Sequence, residues 1–243
     1  MLKEKINGAD GFTTELSLSA EELKILREEI ESQWIYRLQI ACPEHVKKFR
    51  ELGLENYHKL SHLVDHAKIW PKTARVLPEK AFDRLKDMRF YTKIRKEFGE
   101  FVLSDEEGFG WGVQTWRLVR PGKEDIGPIH SDKWFWDLGH GNMPSYPCER
   151  VKIWIAICTS PGKNGLCVIP GSHKKTDWKW HAETKSGLSK PVFDEDLTKL
   201  DIRVVDTKPG NAVVFHDLLL HGGVPNAADQ CRVSMEVTVI CKK

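Results

Sequence analysis

The 243-residue chain has no apolar run approaching the roughly 18 residues that a membrane-crossing helix needs. Its first residues, MLKEKINGADGF, lack an apolar stretch ahead of any cleavage site, so no secretory signal is expected and a cytoplasmic location is. An excess of one charge is also missing. Thirty-seven Lys and Arg against 35 Asp and Glu leave a net charge of +2, which argues against a dedicated nucleic-acid or membrane-surface binder. The partner expected is therefore a small-molecule substrate, with neither nucleic acid nor membrane. None of the six cysteines (42, 148, 158, 167, 231, 241) forms a C-x-x-C pair, and a chain of this length needs no disulfide scaffold, so free thiols are expected. Internal repeats, low-complexity tracts and obvious linkers are absent as well. Tryptophan, in contrast, is plentiful at nine residues, enough to furnish both core and pocket walls.

The first hundred residues read as helical. Ser19-Ala20-Glu21-Glu22 is a capping-box pattern, followed by Leu23, Ile25, Leu26 and Ile30 near helical spacing. Gly53 can end a short helix over 46–52, Pro78 can open another, and 91–98 forms a further segment stopped by Gly99. From about residue 110, short β-rich runs alternate with Gly, Pro, Asn and Asp: 112–120, 151–158, 166–169, 202–205, 212–216 and 232–240. The last run alternates Val233, Met235, Val237 and Val239 with Arg232, Ser234, Glu236 and Thr238. A single domain over 1–243 follows, mainly β with α: a helical part over 1–105 packed on a β sandwich or barrel over 106–243.

Three features of the β part call for a joint explanation. His130-Ser131-Asp132 follows Pro128, and in an extended segment the imidazole and carboxylate of such a triplet point the same way. Phe215 to Gly223 runs from a strand end into a glycine turn that carries His221. Arg232 lies eleven residues further on, with Ser234 on the same strand face. Two imidazoles and one carboxylate on one side of an ion suit non-haem Fe(II), whose open positions can take a 2-oxoacid and dioxygen. A fixed arginine would then grip the far carboxylate of that co-substrate. H-x-D alone arises often by chance; the order H-x-D, about ninety β-rich residues, HGG, then R-x-S is specific.

Four blocks now resemble the phytanoyl-CoA dioxygenase family of 2-oxoglutarate oxygenases. They are the ligand pattern, Asn164 to His173 (N-G-x-x-x-x-P-G-S-H), Pro209 to His216 (similar to G-D-x-x-x-F-H), and Leu220 to Asn226 (similar to H-G-S-x-x-N). The resemblance implies a double-stranded β-helix, a jelly-roll or cupin-like barrel with iron at one mouth. It implies His130, Asp132 and His221 as iron ligands and Arg232, with Ser234, as the site for 2-oxoglutarate. Trp154 and Trp116 fall where family residues line the co-substrate pocket. The activity implied is hydroxylation of an unactivated C–H bond of a small metabolite, consuming O2 and releasing succinate and CO2. Asp132 favours oxygenation over halogenation, because related halogenases replace the carboxylate by a small residue. HGS has become HGG here, and the long aromatic stretch 133–150 keeps the family name from dictating a substrate. A non-catalytic ligand-binding member of the fold and a zinc hydrolase with the same ligands are the alternatives; the second has no use for Arg232.

Several residues outside these blocks carry expectations of their own. The cluster Lys133-Trp134-Phe135-Trp136, next to the ligands, reads as a substrate wall, with Trp134 and Trp136 foremost and a lid-loop core that packs regardless of substrate as the alternative, and His140 reads as a residue that could face substrate. Trp178 and Trp180, with Lys174, Lys175 and Lys179, read as part of a lid in the insertion 173–200. His58, His62 and His66 would stripe a solvated or interface face of one helix. His216 and His173 read as packing residues near the site, not ligands.

Overall fold

Ser19 opens the longest helix as its capping box requires: its hydroxyl accepts from Glu22 N (3.2 Å), and the Glu22 carboxylate accepts from Ser19 N (2.7 Å). The computed structural model describes residues 1–242 apart from Glu124, Met143 and Ser186, with only the backbone of Lys185. Before residue 100 it contains α1 (Leu2–Ile6), α2 (Ala20–Ala41), α3 (Val46–Leu52), α4 (His66–Ile69), α5 (Glu79–Leu85) and α6 (Arg89–Phe98). Leu26, Ile30, Trp34 and Leu38 recur every four residues and form the buried stripe of α2. The second carboxylate oxygen of Glu22 accepts from Phe90 N (2.8 Å), so the cap also docks α6. No helix among the described residues is long and apolar enough to cross a membrane.

The strands are β1 (Phe12–Ser17), β2 (Phe101–Leu103), β3 (Thr115–Val119), β4 (Cys148–Cys158), β5 (Leu166–Val168), β6 (Trp180–Lys185), β7 (Leu188–Phe193), β8 (Arg203–Val204), β9 (Asn211–His216), β10 (His221–Gly223) and β11 (Arg232–Lys242). A large antiparallel sheet runs β1-β9-β4-β11-β2, with β3 also paired to β11. A small sheet runs β10-β5-β8, and β6–β7 is a separate hairpin. The two sheets make the expected jelly roll. The helical part is less uniform than expected, because β1 and β2 lie within it and belong to the large sheet. Each is too short for its pattern to stand out against the helices around it.

The alternation of β11 sorts the interior. Val233, Met235, Val237 and Val239 face outward and share one core with Ile153 and Ile155 of β4 and with Leu26, Ile30, Trp34 and Ile94 of the helices. Trp154, Val213 and Phe215 face the small sheet and pack with Leu166, Val168 and Leu219. The polar face of β11 looks the same way, and it is not solvated: Arg232 is 3% exposed, Ser234 0% and Thr238 2%. Its polar residues line the barrel. The three histidines at 58, 62 and 66 do not share a helix, because the chain there is broken into 3-10 turns before α4. His58 instead meets the Cys231 thiol (3.5 Å) and His66 the Tyr57 hydroxyl (3.1 Å).

Candidate metal centre

His130 and His221 are held face to face by two backbone hydrogen bonds, each residue's N–H donating to the other's carbonyl at 2.9 Å. Ser131 is still extended, and Asp132 is the first residue of α7 (Asp132–Asp137). The carboxylate therefore reaches the histidines across a strand-to-helix turn, not along the extended triplet that H-x-D suggested. Two contacts pin this turn: the Ser131 hydroxyl (2.9 Å) and Lys133 N (3.1 Å) both donate to the Asp217 carbonyl. One ligand atom from each of His130, Asp132 and His221 lies within 4.8 Å of the other two.

The imidazole tautomers follow from their partners. A carbonyl can only accept, so Nδ1 of His130 donates to Pro128 O (2.8 Å) and Nδ1 of His221 to Leu219 O (2.9 Å). Both Nε2 atoms then stand on the Asp132 side, His130 Nε2 3.8 Å from Oδ1 and His221 Nε2 3.4 Å from Oδ2. Burial, with the neighbouring His221, pushes His130 down to about 4, so its ring is neutral at neutral pH. Asp132 Oδ2 is buried and has no hydrogen-bond partner among the described residues. A cation held between the imidazoles and this carboxylate would satisfy it. The donor set suits iron.

Arg232 and Ser234 extend the site along the inner face of β11. Arg232 donates to Gly165 O (2.6 Å), while its Nε and the Ser234 hydroxyl are buried without partners among the described residues. Burial, aided by the like charge of Arg117, pushes Arg232 down to about 10, and it remains a cation. Such atoms are costly unless a ligand satisfies them, and an anionic end matches both. Trp154 lies on the same side, its ring 6.0 Å from the Arg232 guanidinium carbon. The sequence blocks that resemble the family act as braces. The Asn164 amide donates to Asn226 Oδ1 (2.9 Å), Asn226 donates to Val119 O (3.0 Å), and the Ser172 hydroxyl accepts from Leu220 N (2.9 Å). A Cβ on Gly223 would lie 2.9 Å from Ile126 Cβ, so the second glycine of HGG is needed where this segment crosses close by.

Two expectations need correction. Trp116 points away from the site into the helix-facing core, where Nε1 donates to Gln33 Oε1 (2.6 Å) and the ring meets Trp70 edge-on. Pairing of β3 with β11 sets Arg117 opposite Ser234 and Trp116 opposite Met235, so Arg117 takes the inner face. Trp134 is not a free substrate wall: it stacks on Trp180 (5.3 Å) and Phe193 (6.0 Å) and anchors the β6–β7 hairpin. Because α7 begins at Asp132, helical spacing brings Phe135 to the triad, edge-on to His130 at 5.2 Å. Trp136 is covered by the Arg150 guanidinium (4.6 Å). His140 Nε2 donates to Ser189 O (2.7 Å), and its ring meets Phe135. His216 and His173 pack together at 5.4 Å outside the triad.

Sequence reasoning missed the charges inside the barrel. Arg117 binds Glu236 through two hydrogen bonds, 2.6 and 2.9 Å. Lys152 donates to Thr238 Oγ1 (2.6 Å) and Glu106 Oε1 (3.1 Å). Burial alone would pull the Lys152 ammonium down, yet Asp132, Glu106 and Glu236 push it above its ordinary value. Burial would likewise raise Glu236, but Arg117 holds it well below the usual carboxylate range. The only trace of this in sequence was a charged residue in an otherwise apolar strand, Lys152 in VKIWIAIC.

Known proteins share the family pattern and the fold of this chain. The family model described as "Phytanoyl-CoA dioxygenase (PhyH)" matches residues 17–234. A search of curated protein sequences finds no match. Among solved structures, EctD from S. alaskensis with bound Fe aligns over 98% of this chain and 75% of its own, with TM-score 0.57 and 16% identity. The non-heme alpha ketoglutarate dependent carbocyclase SnoK from nogalamycin biosynthesis aligns over 99% and 84%, with TM-score 0.55 and 14% identity. EvdO2 from Micromonospora carbonacea var. aurantiaca, complexed with 2-oxoglutarate, aligns over 68% and 65%, with TM-score 0.52 and 18% identity. At these identities the likeness is one of fold.

Proposed function

From the premise that this chain belongs to the phytanoyl-CoA dioxygenase family, we propose that it is an Fe(II)- and 2-oxoglutarate-dependent oxygenase hydroxylating a small metabolite. His130, Asp132 and His221 would hold the iron, and Arg232, Ser234 and Trp154 the 2-oxoglutarate. One observation carries the reading: Asp132 Oδ2 beside the two histidines, and Arg232 Nε and Ser234 Oγ on the inner side of β11, are buried without partners among the described residues, and a cation and an anion would satisfy them. A zinc hydrolase with the same three ligands leaves Arg232 and Ser234 unexplained.

Bound iron and 2-oxoglutarate supply the oxidising power: with O2 they convert a C–H bond to C–OH and release succinate and CO2. The chain supplies position and exclusion. Pro128 O and Leu219 O fix both imidazoles with Nε2 inward. Gly165 O aims the Arg232 fork, and the apolar group around Trp154 and Phe215 keeps that end of the barrel dry. Phe135 borders His130, and substrate would approach beside it, with Trp136 on the same helix and His140 in the loop that follows. The direct test is succinate formation from 2-oxoglutarate in air with added Fe(II). Slow uncoupled turnover is expected in the native protein and none in Asp132→Ala. Turnover unchanged in Asp132→Ala would overturn the assignment.

A further inference from the structure

Lys152 is 5% exposed on the inner face of β4, a setting in which a lysine needs a partner for each of its three N–H donors. Two are hydrogen bonds, to Thr238 Oγ1 at 2.6 Å and Glu106 Oε1 at 3.1 Å, and the ammonium also forms an ion pair with Asp132 Oδ1, 3.6 Å away. Thr238 in turn donates to the same Glu106 oxygen, so the ammonium is braced from the loop after β2 and from β11. The register explains the reach, since Lys152 pairs with Thr238 across β4 and β11. The two oxygens of Asp132 are therefore unequal. Oδ1 faces the ammonium, whereas Oδ2 is buried, unpartnered and nearest His221.

We propose that Lys152 is a positioning residue that reserves Oδ1 of Asp132, so that this carboxylate offers a metal Oδ2 alone. The consequence lies in coordination arithmetic and rests on the oxygenase reading. A six-coordinate ion with three protein ligand atoms keeps three positions, two for a chelating 2-oxoacid and one for O2. A carboxylate free to rotate can chelate through both oxygens and remove one of them. Lys152 thus keeps the open side open without touching the metal. Neutralising Glu106 does not account for the ammonium's place 3.6 Å from the ligand carboxylate.

The test uses cobalt(II) as an oxygen-stable probe, added to metal-free protein and followed by its visible d–d absorption. Calorimetric titration of 2-oxoglutarate into the cobalt form comes next, for the native protein, Lys152→Met and Lys152→Arg. In Lys152→Met the cobalt spectrum should change and 2-oxoglutarate affinity fall roughly tenfold, while cobalt binds at least as tightly as before. Lys152→Arg, which still presents a cation to Oδ1, should recover affinity to within about threefold. If Lys152→Met does not fold, Lys152→Gln, which is too short to reach Asp132, carries the same expectations. A native cobalt spectrum and native 2-oxoglutarate affinity in the folded variant, whatever its melting temperature, would make Lys152 a charge-neutralising residue and overturn the proposal. Native protein that takes up no cobalt, or no 2-oxoglutarate once cobalt is bound, would instead overturn the oxygenase reading itself.

Discussion

Arg232 gathers several constraints at one side chain: a carbonyl on Nη1, a buried unpartnered Nε, and Ser234 two residues on with an unpartnered hydroxyl. Charge-assisted hydrogen bonds of this kind contribute about 1.5–3 kcal/mol, so Arg232→Ala should weaken 2-oxoglutarate binding roughly 10- to 100-fold. Metal uptake, which depends on residues farther along the face, should hold. Calorimetry on metal-loaded protein separates the two, and an unchanged 2-oxoglutarate affinity would remove Arg232 from its role. Gly223 gives a second residue-scale prediction. Gly223→Ser adds a Cβ 2.9 Å from Ile126 Cβ and should destabilise the fold by about 1–3 kcal/mol, read from urea denaturation. The triad and Arg232 were legible in sequence because motif order constrains them jointly. Trp116 was misread because a one-residue error in strand phase exchanges the two faces of a sheet. Which ring of the cluster 133–136 meets the triad was not legible, because the backbone changes period at Asp132, from two to 3.6 residues, and no turn residue marks the change.

β11 shows how far an element's own pattern carries. Its alternation identified the two faces and set Arg232 and Ser234 together, and both lie inside the barrel. A second sheet that covers a polar face leaves no mark on the strand's own pattern, so the pairing of the buried charges around Lys152 and Glu236 was not legible. The same limit hid the β6–β7 hairpin, whose residues 180–193 read as an irregular charged lid. Its exposed strands have little apolar face to alternate, and its anchor is the stack of Trp180 and Phe193 on Trp134, which joins distant parts of the chain. Removing the central ring should release the hairpin while sparing both sheets. Trp134→Ala is expected to raise amide exchange across β6 and β7, with β4 and β11 as slow as before; uniform acceleration would mean that the hairpin is integral to the barrel.

At the scale of the molecule, two half-buried neutral imidazoles give stability a defined pH dependence. Burial pushes His66 down to about 4, helped by Arg120 and Arg75 and opposed by Asp125, and His130 lies at about 4 as well. In the unfolded chain both return to about 6.5, so between these values the unfolded state binds more protons and stability falls as pH falls. Metal-free protein should lose roughly 1–3 kcal/mol per histidine between pH 7 and 4.5, measured by urea denaturation; equal stability at the two pH values would contradict the neutral assignment. The account as a whole depends on iron and 2-oxoglutarate meeting between the histidine pair and Arg232. The measurement that tests this most directly is anaerobic Fe(II) titration of the metal-free protein with and without 2-oxoglutarate, watching for the weak visible charge-transfer band of the chelated complex. The account predicts a band that needs both components and is lost in His221→Ala. Folded, iron-loaded protein that gives no band with 2-oxoglutarate would contradict it.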